Sequence, residues 1–181
     1  GFLKNSEHTK FLDVINAEVD WGERQVGSMF GKEYILPRDT AWFGEPNTSY
    51  IYSGIKNEPM PWTEGLMELK KKVEEFTNCN FNSLLINKYE TGKDKVGWHA
   101  DDEKELGKNP VIASVSLGAD RKFKLRHKKY KLNHLKHEVI LQNGSLLLMK
   151  GTTQHNWLHE IPRTARPIGP RINLTFRVIK S

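Results

Sequence analysis

The sequence predicts a mainly β fold with flanking helices (α+β), of the sandwich or jelly-roll type. Three observations carry that expectation. Six short segments alternate polar with apolar residues and stop at turn signals. Only two stretches show helical spacing. The strands follow one another without the strand–helix–strand rhythm of a parallel sheet.

The first helix is predicted over 6–19, where Phe11, Leu12, Val14, Ile15 and Val19 gather near one face and Ser6 can cap. The second is predicted over 63–77. There Trp62, Leu66, Leu69, Val73 and Phe76 recur at helical spacing, Thr63 can cap, and lysines and glutamates fill the opposite face. Both read as outer supports. The strands are "LLINKY" (84–89), "VIASVSLGA" (111–119), "RKFKLRHK" (121–128), "HEVILQ" (137–142), "GSLLLMK" (144–150) and "RINLTFRVI" (171–179). Turn signals at Thr91-Gly92, Asn143-Gly144 and 167–170 separate them.

At 181 residues, one domain spanning 1–181 is expected, with a sizeable core. No apolar run is long enough to span a bilayer, and no membrane partner is expected. The lone Cys79 has no intrachain disulfide partner, which fits a reducing intracellular compartment. The net charge of +6 favours a polyanionic partner. Residues 121–137 are dense in Lys and Arg and hold no acid. They read as either a solvated basic loop or a phosphate-contacting surface.

The last strand puts Arg171, Asn173, Thr175 and Arg177 on one face and Ile172, Leu174, Phe176 and Val178 on the other. In "GWHADDE", an extended segment would point His99 and Asp101 the same way. A third ligand, His155 or His159, would complete the two-His-one-carboxylate face that suits ferrous iron. Enzymes that pair such a face with 2-oxoglutarate need a cation for the far carboxylate, and arginine binds a carboxylate through two parallel hydrogen bonds. Asn87 and Tyr89 likewise share one face of their strand, which suggests a polar, ligand-holding interior.

These residues carry a resemblance. "INKYETGKDKVGWHADDEKELGKNPVIASVSLGADRKFKLRHK", "GSLLLMKGTTQHNWLHEIP" and "PRINLTFR" resemble the AlkB family of iron- and 2-oxoglutarate-dependent nucleic-acid dealkylases, most of all its animal DNA-repair homologues. The likeness spans roughly 25–179. It implies a double-stranded β-helix (jelly roll) with N-terminal nucleotide-recognition hairpins. The recognition lid would lie at about 25–60 and the catalytic jelly roll at about 80–181. By position it implies His99, Asp101 and His159 as Fe(II) ligands. It implies Asn87, Tyr89, Arg171, Asn173, Thr175 and Arg177 around 2-oxoglutarate, with Arg171 on the far carboxylate and Arg177 nearer the metal. His155 then becomes a rim or structural residue.

The resemblance also implies an extruded methylated base. Tyr50 and Tyr52 match positions that contact the lesion, with Tyr52 stacking opposite His99. Glu103 matches an acid that reads the exocyclic amine, and Asp102 one that touches the nucleotide. Phe30-Gly31-Lys32 resembles the finger that fills the gap in a duplex, whereas "TAWFG" is closer to the homologue preferring single strands. The strand preference therefore stays open. Arg38 and the basic strand residues Arg121, Lys122, Arg126 and Lys128 would meet phosphates. The implied reaction consumes 2-oxoglutarate and O2, hydroxylates the N-methyl group of 1-methyladenine- or 3-methylcytosine-type lesions, and releases formaldehyde. Asp101, Asp102 and Glu103 would suit the cationic bases. The implied partner is methylated DNA, duplex or single-stranded, acted on by a monomer in a nucleus or a bacterial cytoplasm. RNA or tRNA as substrate, a zinc-dependent hydrolase on the same three ligands, and a non-catalytic nucleic-acid binder are the alternatives.

Overall fold

The computed structural model describes residues 1–180 apart from 23–25, 30, 31, 37, 47, 49, 53 and 54, and leaves aside the side chains of 27–29, 32–34, 50–52 and 55–57. The chain runs α1 (Asn5–Glu18), β1 (Val26–Met29), β2 (Lys32–Ile35), β3 (Asp39–Gly44), β4 (Tyr50–Tyr52), β5 (Ile55–Asn57) and α2 (Glu64–Thr77). It continues with β6 (Ser83–Tyr89), β7 (Val96–His99), β8 (Ile112–Gly118), β9 (Arg121–His127), α3 (Tyr130–Asn133) and β10 (Lys136–Leu141). β11 (Leu146–Met149), α4 (Thr153–Asn156), β12 (Trp157–Ile161) and β13 (Arg171–Arg177) complete it.

Two antiparallel sheets form the jelly roll. The larger has the order β11-β8-β13-β6-β3 and the smaller β10-β9-β12-β7. β1–β2 and β4–β5 are separate two-stranded pairs. β3, from within the segment expected to form the recognition lid, is an edge strand of the larger sheet, paired with β6. Part of that segment is therefore built into the body of the fold.

α1 and α2 lie against the larger sheet. Thr63 caps α2 by accepting from the Leu66 N–H at 3.3 Å. α1 starts one residue earlier than predicted. Its cap is Lys4, whose N–H donates to the Glu7 carboxylate at 2.7 Å, rather than Ser6. Phe11 and Ile15 of α1 and Leu66, Leu69 and Val73 of α2 pack on Leu84, Ile86, Val115, Leu174 and Phe176 of the sheet. Phe76, expected on the buried face of α2, is 67% exposed and makes an edge contact with Phe2 at 5.1 Å. It lies beyond the last turn that the sheet covers.

β13 is buried on both faces, as a central strand between two layers must be. Its apolar face joins the helix-side core. Its polar face looks between the two sheets, where Tyr89, Ile112, Phe123, Leu141, Met149 and Ile161 form a second core. The chain crosses from β8 to β9 at Gly118, whose φ is +87° and where a Cβ would stand 2.4 Å from the Pro170 carbonyl. Only glycine fits this link, which is tied to the start of β13 by the Ala119 N–H donating to Pro170 O at 2.9 Å.

Candidate active site

The site is built on facing strands. His99 ends β7 and sits directly across the ladder from His159 on β12. Cross-strand partners share a face, so the two imidazoles meet, with ring centroids 4.2 Å apart. Asp101 follows on the loop after β7. Its carboxylate lies 3.6 Å from His99 Nε2 and 4.0 Å from His159 Nε2. One ligand atom from each of the three falls within 4.8 Å of the others, a cluster that could hold a metal ion. His155, the other candidate, is exposed on α4 and accepts a backbone N–H from Asn109 at 3.3 Å.

The protonation states suit coordination. Burial alone would raise the Asp101 pKa, but Arg177, 3.2 Å away, outweighs it with help from both histidines and holds the carboxyl at about 2. Burial pushes His159 down to about 4, against the pull of Asp101. Near neutral pH the set is therefore one carboxylate and a neutral His159 with a lone pair to give. Gln154, buried on α4, accepts the Asp101 backbone N–H at 2.9 Å and donates to the Met149 sulfur at 3.4 Å. It fixes the backbone of the carboxylate ligand.

Across the cavity stands the polar face of β13. Arg171 is 1% exposed, and burial lowers its pKa to about 10. One guanidinium nitrogen donates to Ser116 Oγ at 2.9 Å and Asn173 Oδ1 at 2.7 Å, and the Tyr89 ring lies 5.2 Å away. Its Nε and Nη1 meet no hydrogen-bond partner among the described residues. A buried cation with idle donors and no carboxylate is costly unless an anion joins it. Asn173 also accepts from Ser114 Oγ at 2.9 Å and donates to Thr175 Oγ1 at 2.8 Å. The cavity between guanidinium and histidines measures about 50 Å³, room for a small polar ligand.

Two expected phosphate contacts are corrected. Arg38 is buried in this cavity, where its Nε donates to Asn87 Oδ1 at 2.7 Å. Arg121 alternates with Phe123 on the inward face of β9 and donates to the carbonyls of Asp94 at 2.8 Å and Pro162 at 2.7 Å. It clamps two loops and has no surface to offer a phosphate. Lys122 and Lys128 do point outward, paired with Glu138 at 2.7 Å and Asp102 at 2.9 Å. Arg126 lies over the Trp98 ring at 4.4 Å.

On the substrate side, burial first and Asp101 second raise the Glu103 pKa to about 7. Its Oε2 has no hydrogen-bond partner among the described residues. The negative charge expected at the mouth is thus less than three carboxylates would give. Phe30 and Gly31 lie outside the described residues, as do the side chains of Lys32, Tyr50 and Tyr52. The sequence reading missed Ser114, Ser116 and Gln154, and gave Arg38 a different role. The two serines had a signal, a period-two polar row inside "VIASVSLGA".

A family model described as the 2OG-Fe(II) oxygenase superfamily matches residues 1–177. The chain belongs to that superfamily. Bovine (Bos taurus) alpha-ketoglutarate-dependent dioxygenase alkB homolog 3 is 41% identical over 186 residues, covering 99% of this chain and 64% of its own. The chain therefore spans just under two thirds of that relative's length. Mouse (Mus musculus) DNA oxidative demethylase ALKBH2 is 38% identical over 181 residues, 96% of this chain and 76% of its own. The solved structure of OsALKBH1 shares the fold at a TM-score of 0.70 and 17% identity, over 98% of this chain and 93% of that one. For a 2OG-Fe(II) oxygenase the residues fit both groups. His99, Asp101 and His159 could hold iron, and the unpartnered Nε and Nη1 of Arg171 could meet a carboxylate.

Proposed function

We propose that this oxygenase removes methyl groups from N-alkylated bases of the 1-methyladenine and 3-methylcytosine type in DNA, using Fe(II), 2-oxoglutarate and O2 and releasing formaldehyde. The observation that carries the reading is the buried Arg171. Its unpartnered Nε and Nη1 line the same cavity as the His99–Asp101–His159 cluster. A metal-activated hydrolase gives that guanidinium no task. The relatives' names, an alpha-ketoglutarate-dependent dioxygenase and a DNA oxidative demethylase, support the same reaction class and the DNA substrate.

Bound Fe(II) would supply activation of dioxygen and the oxidising power. The chain does the rest. His99, Asp101 and His159 would hold the metal, and Arg177 keeps Asp101 ionised for it. Arg171 would take the far carboxylate of 2-oxoglutarate with its unpartnered donors, a charge-assisted contact. Asn173, tied to Thr175 and Ser114, keeps one side of that guanidinium fixed. The floor of the cavity, between Arg171 and the two histidines, would take the keto acid, and the methylated base would stay at the mouth beside His99. There Glu103 meets the exocyclic amine. With a pKa near 7 it accepts a hydrogen bond when ionised and donates one when protonated. Such a base has to leave its stack first, and Tyr52 would receive it.

The decisive experiment measures formaldehyde from matched 1-methyladenine single-stranded DNA, duplex DNA and RNA, with and without 2-oxoglutarate. Release from DNA only with 2-oxoglutarate is expected. Release without it, or none from any of the three, refutes the reading. Turnover on RNA alone would move the substrate to the RNA alternative.

A further inference from the structure

Trp98 precedes His99 on β7 and therefore faces the other side of the smaller sheet. On that outer side lies a groove of about 400 Å³, lined by Trp98, Lys124, Arg126, Tyr130, Lys136 and Glu138 among others. The register explains the grouping. Arg126 sits across from Lys136 on β10 and from Leu158 on β12, and Lys124 across from Glu138. Trp98 reaches over this row to stack with Arg126, 4.4 Å from the ring centroid. Tyr130, on α3, closes one end. The groove is basic. Glu138, its one acid, is ion-paired with Lys122 at 2.7 Å, and Glu160 faces Lys124 in the next ladder without lining the groove.

The groove opens at the same end of the sheet as the active site. The His99 end of β7, the Trp157 end of β12 and the Arg126–His127 end of β9 meet there. The Lys128–Asp102 ion pair ties the chain just past these two ends together, Asp102 one residue beyond the ligand Asp101 and Lys128 two beyond Arg126. Flat aromatic faces flanked by cations match a nucleobase and its phosphate, since bases stack on aromatic rings and on guanidinium planes.

We propose that this groove binds an unpaired base of the same strand that carries the methylated base, a second nucleotide subsite outside the mouth. The inference rests on the nucleic-acid reading above and deepens it. A base held in a duplex has no free face for Trp98, so the subsite rewards single-stranded flanks.

The test separates binding from reaction. Fluorescence anisotropy with the protein loaded with Mn(II) and 2-oxoglutarate compares labelled single strands of three and nine nucleotides around one 1-methyladenine. The nonamer should bind more tightly than the trimer, and Trp98→Ala should remove that gain, on the order of ten-fold. Trp98→Phe, which keeps a ring, should retain most of it. Arg126→Ala should weaken the nonamer and lower the salt slope by about one, whereas Trp98→Ala leaves the slope unchanged. Lys10→Ala, on the helix side, should match the parent. Equal affinities of parent and Trp98→Ala for both lengths overturn the subsite, as does polyglutamate competing as well as the nonamer. Should Trp98→Ala fail to fold, Arg126→Ala alone decides: a loss confined to its charge, equal for both lengths, also overturns it. Formaldehyde release in parallel tests the reaction. Its absence in the parent refutes the demethylase reading while the anisotropy still judges the groove.

Discussion

Replacing Arg171 by Met should cripple 2-oxoglutarate binding and leave the fold nearly as stable. The magnitude follows from its surroundings. Burial lowers the Arg171 pKa from 12.5 to about 10, so the folded state holds this proton less tightly than the unfolded chain. The sign is that of a cation with a depressed pKa. Below pH 10 the charge is present in both states, and its burial costs about 3 kcal/mol. The Met variant regains that. It loses the hydrogen bonds to Ser116 and Asn173, and stranding Ser116 Oγ costs about 1–3 kcal/mol. The two nearly cancel, and the melting temperature of the metal-free protein should move by no more than about 5 °C. Ligand binding has no such offset. Truncating one partner of a buried charge pair costs about 2–5 kcal/mol, so 2-oxoglutarate should bind roughly 100-fold more weakly. Calorimetric titration of 2-oxoglutarate into the Mn(II)-loaded protein, without oxygen, reads this directly. Mn(II) affinity should stay within about three-fold, because Arg177 and not Arg171 contacts Asp101. Equal loss of metal and 2-oxoglutarate affinity, or a collapse in melting temperature, would mean that Arg171 serves the fold alone.

Three further outcomes are expected. Arg177→Met should lower Mn(II) affinity about 10–100-fold, the more so at pH 5, because Asp101 then loses the partner that holds it ionised; a pH-independent loss would contradict that. Gln154→Leu should cost a similar factor in Mn(II) affinity while 2-oxoglutarate affinity at saturating Mn(II) is unchanged, and Gln154→Glu, which keeps an acceptor for the Asp101 N–H, should recover part of it; identical defects in both variants would reduce Gln154 to filler. His159 has its pKa depressed from 6.5 to about 4, so the unfolded chain takes up its proton first, and the metal-free protein should lose on the order of 3 kcal/mol as pH falls from 6.5 to 4. Denaturant titrations across that window should show the slope flatten in His159→Gln, and an unchanged slope would place the titration elsewhere.

The parts that were legible in the sequence were those in which chemistry and periodicity agree. β13 alternates so cleanly that its polar row could be assigned to one face before any fold was known, and the row is buried as a unit. α2 was legible because its cap, its apolar stripe and its end at Asn78 in the left-handed region all coincide. The misses have a different cause. Arg38 follows Pro37 in a short polar run that reads as a loop, and the group that justifies its burial, Asn87, is 49 residues away. Arg121 opens a strand whose lysines and other arginine face out, so the basic composition of 121–137 hid the arginine that turns in. No local signal tells a buried arginine from a solvated one, because the difference lies in carbonyls brought from Asp94 and Pro162 by the fold.

β7 and β12, the two strands that carry the histidines, were not among those the pattern predicted, nor was β3. "VGWH" is four residues long with a glycine inside, and "WLHEI" carries a histidine in the middle of its inner face, between Trp157 and Ile161. Leu158 stands on the outer face beside Arg126, while His159 turns into the core against Phe123, 5.2 Å ring to ring. A slip of the strand by one residue would turn His159 outward and part the two imidazoles. A histidine on an inner face is what a site requires. A metal ligand has to be buried, neutral and opposite its partner, so the strand that carries it breaks the rule by which strands are found. The same register puts Trp98 on the outer face, where it lines the basic groove. Catalytic pocket and outer groove are two consequences of one register, and a one-residue slip in β7 or β12 would destroy both.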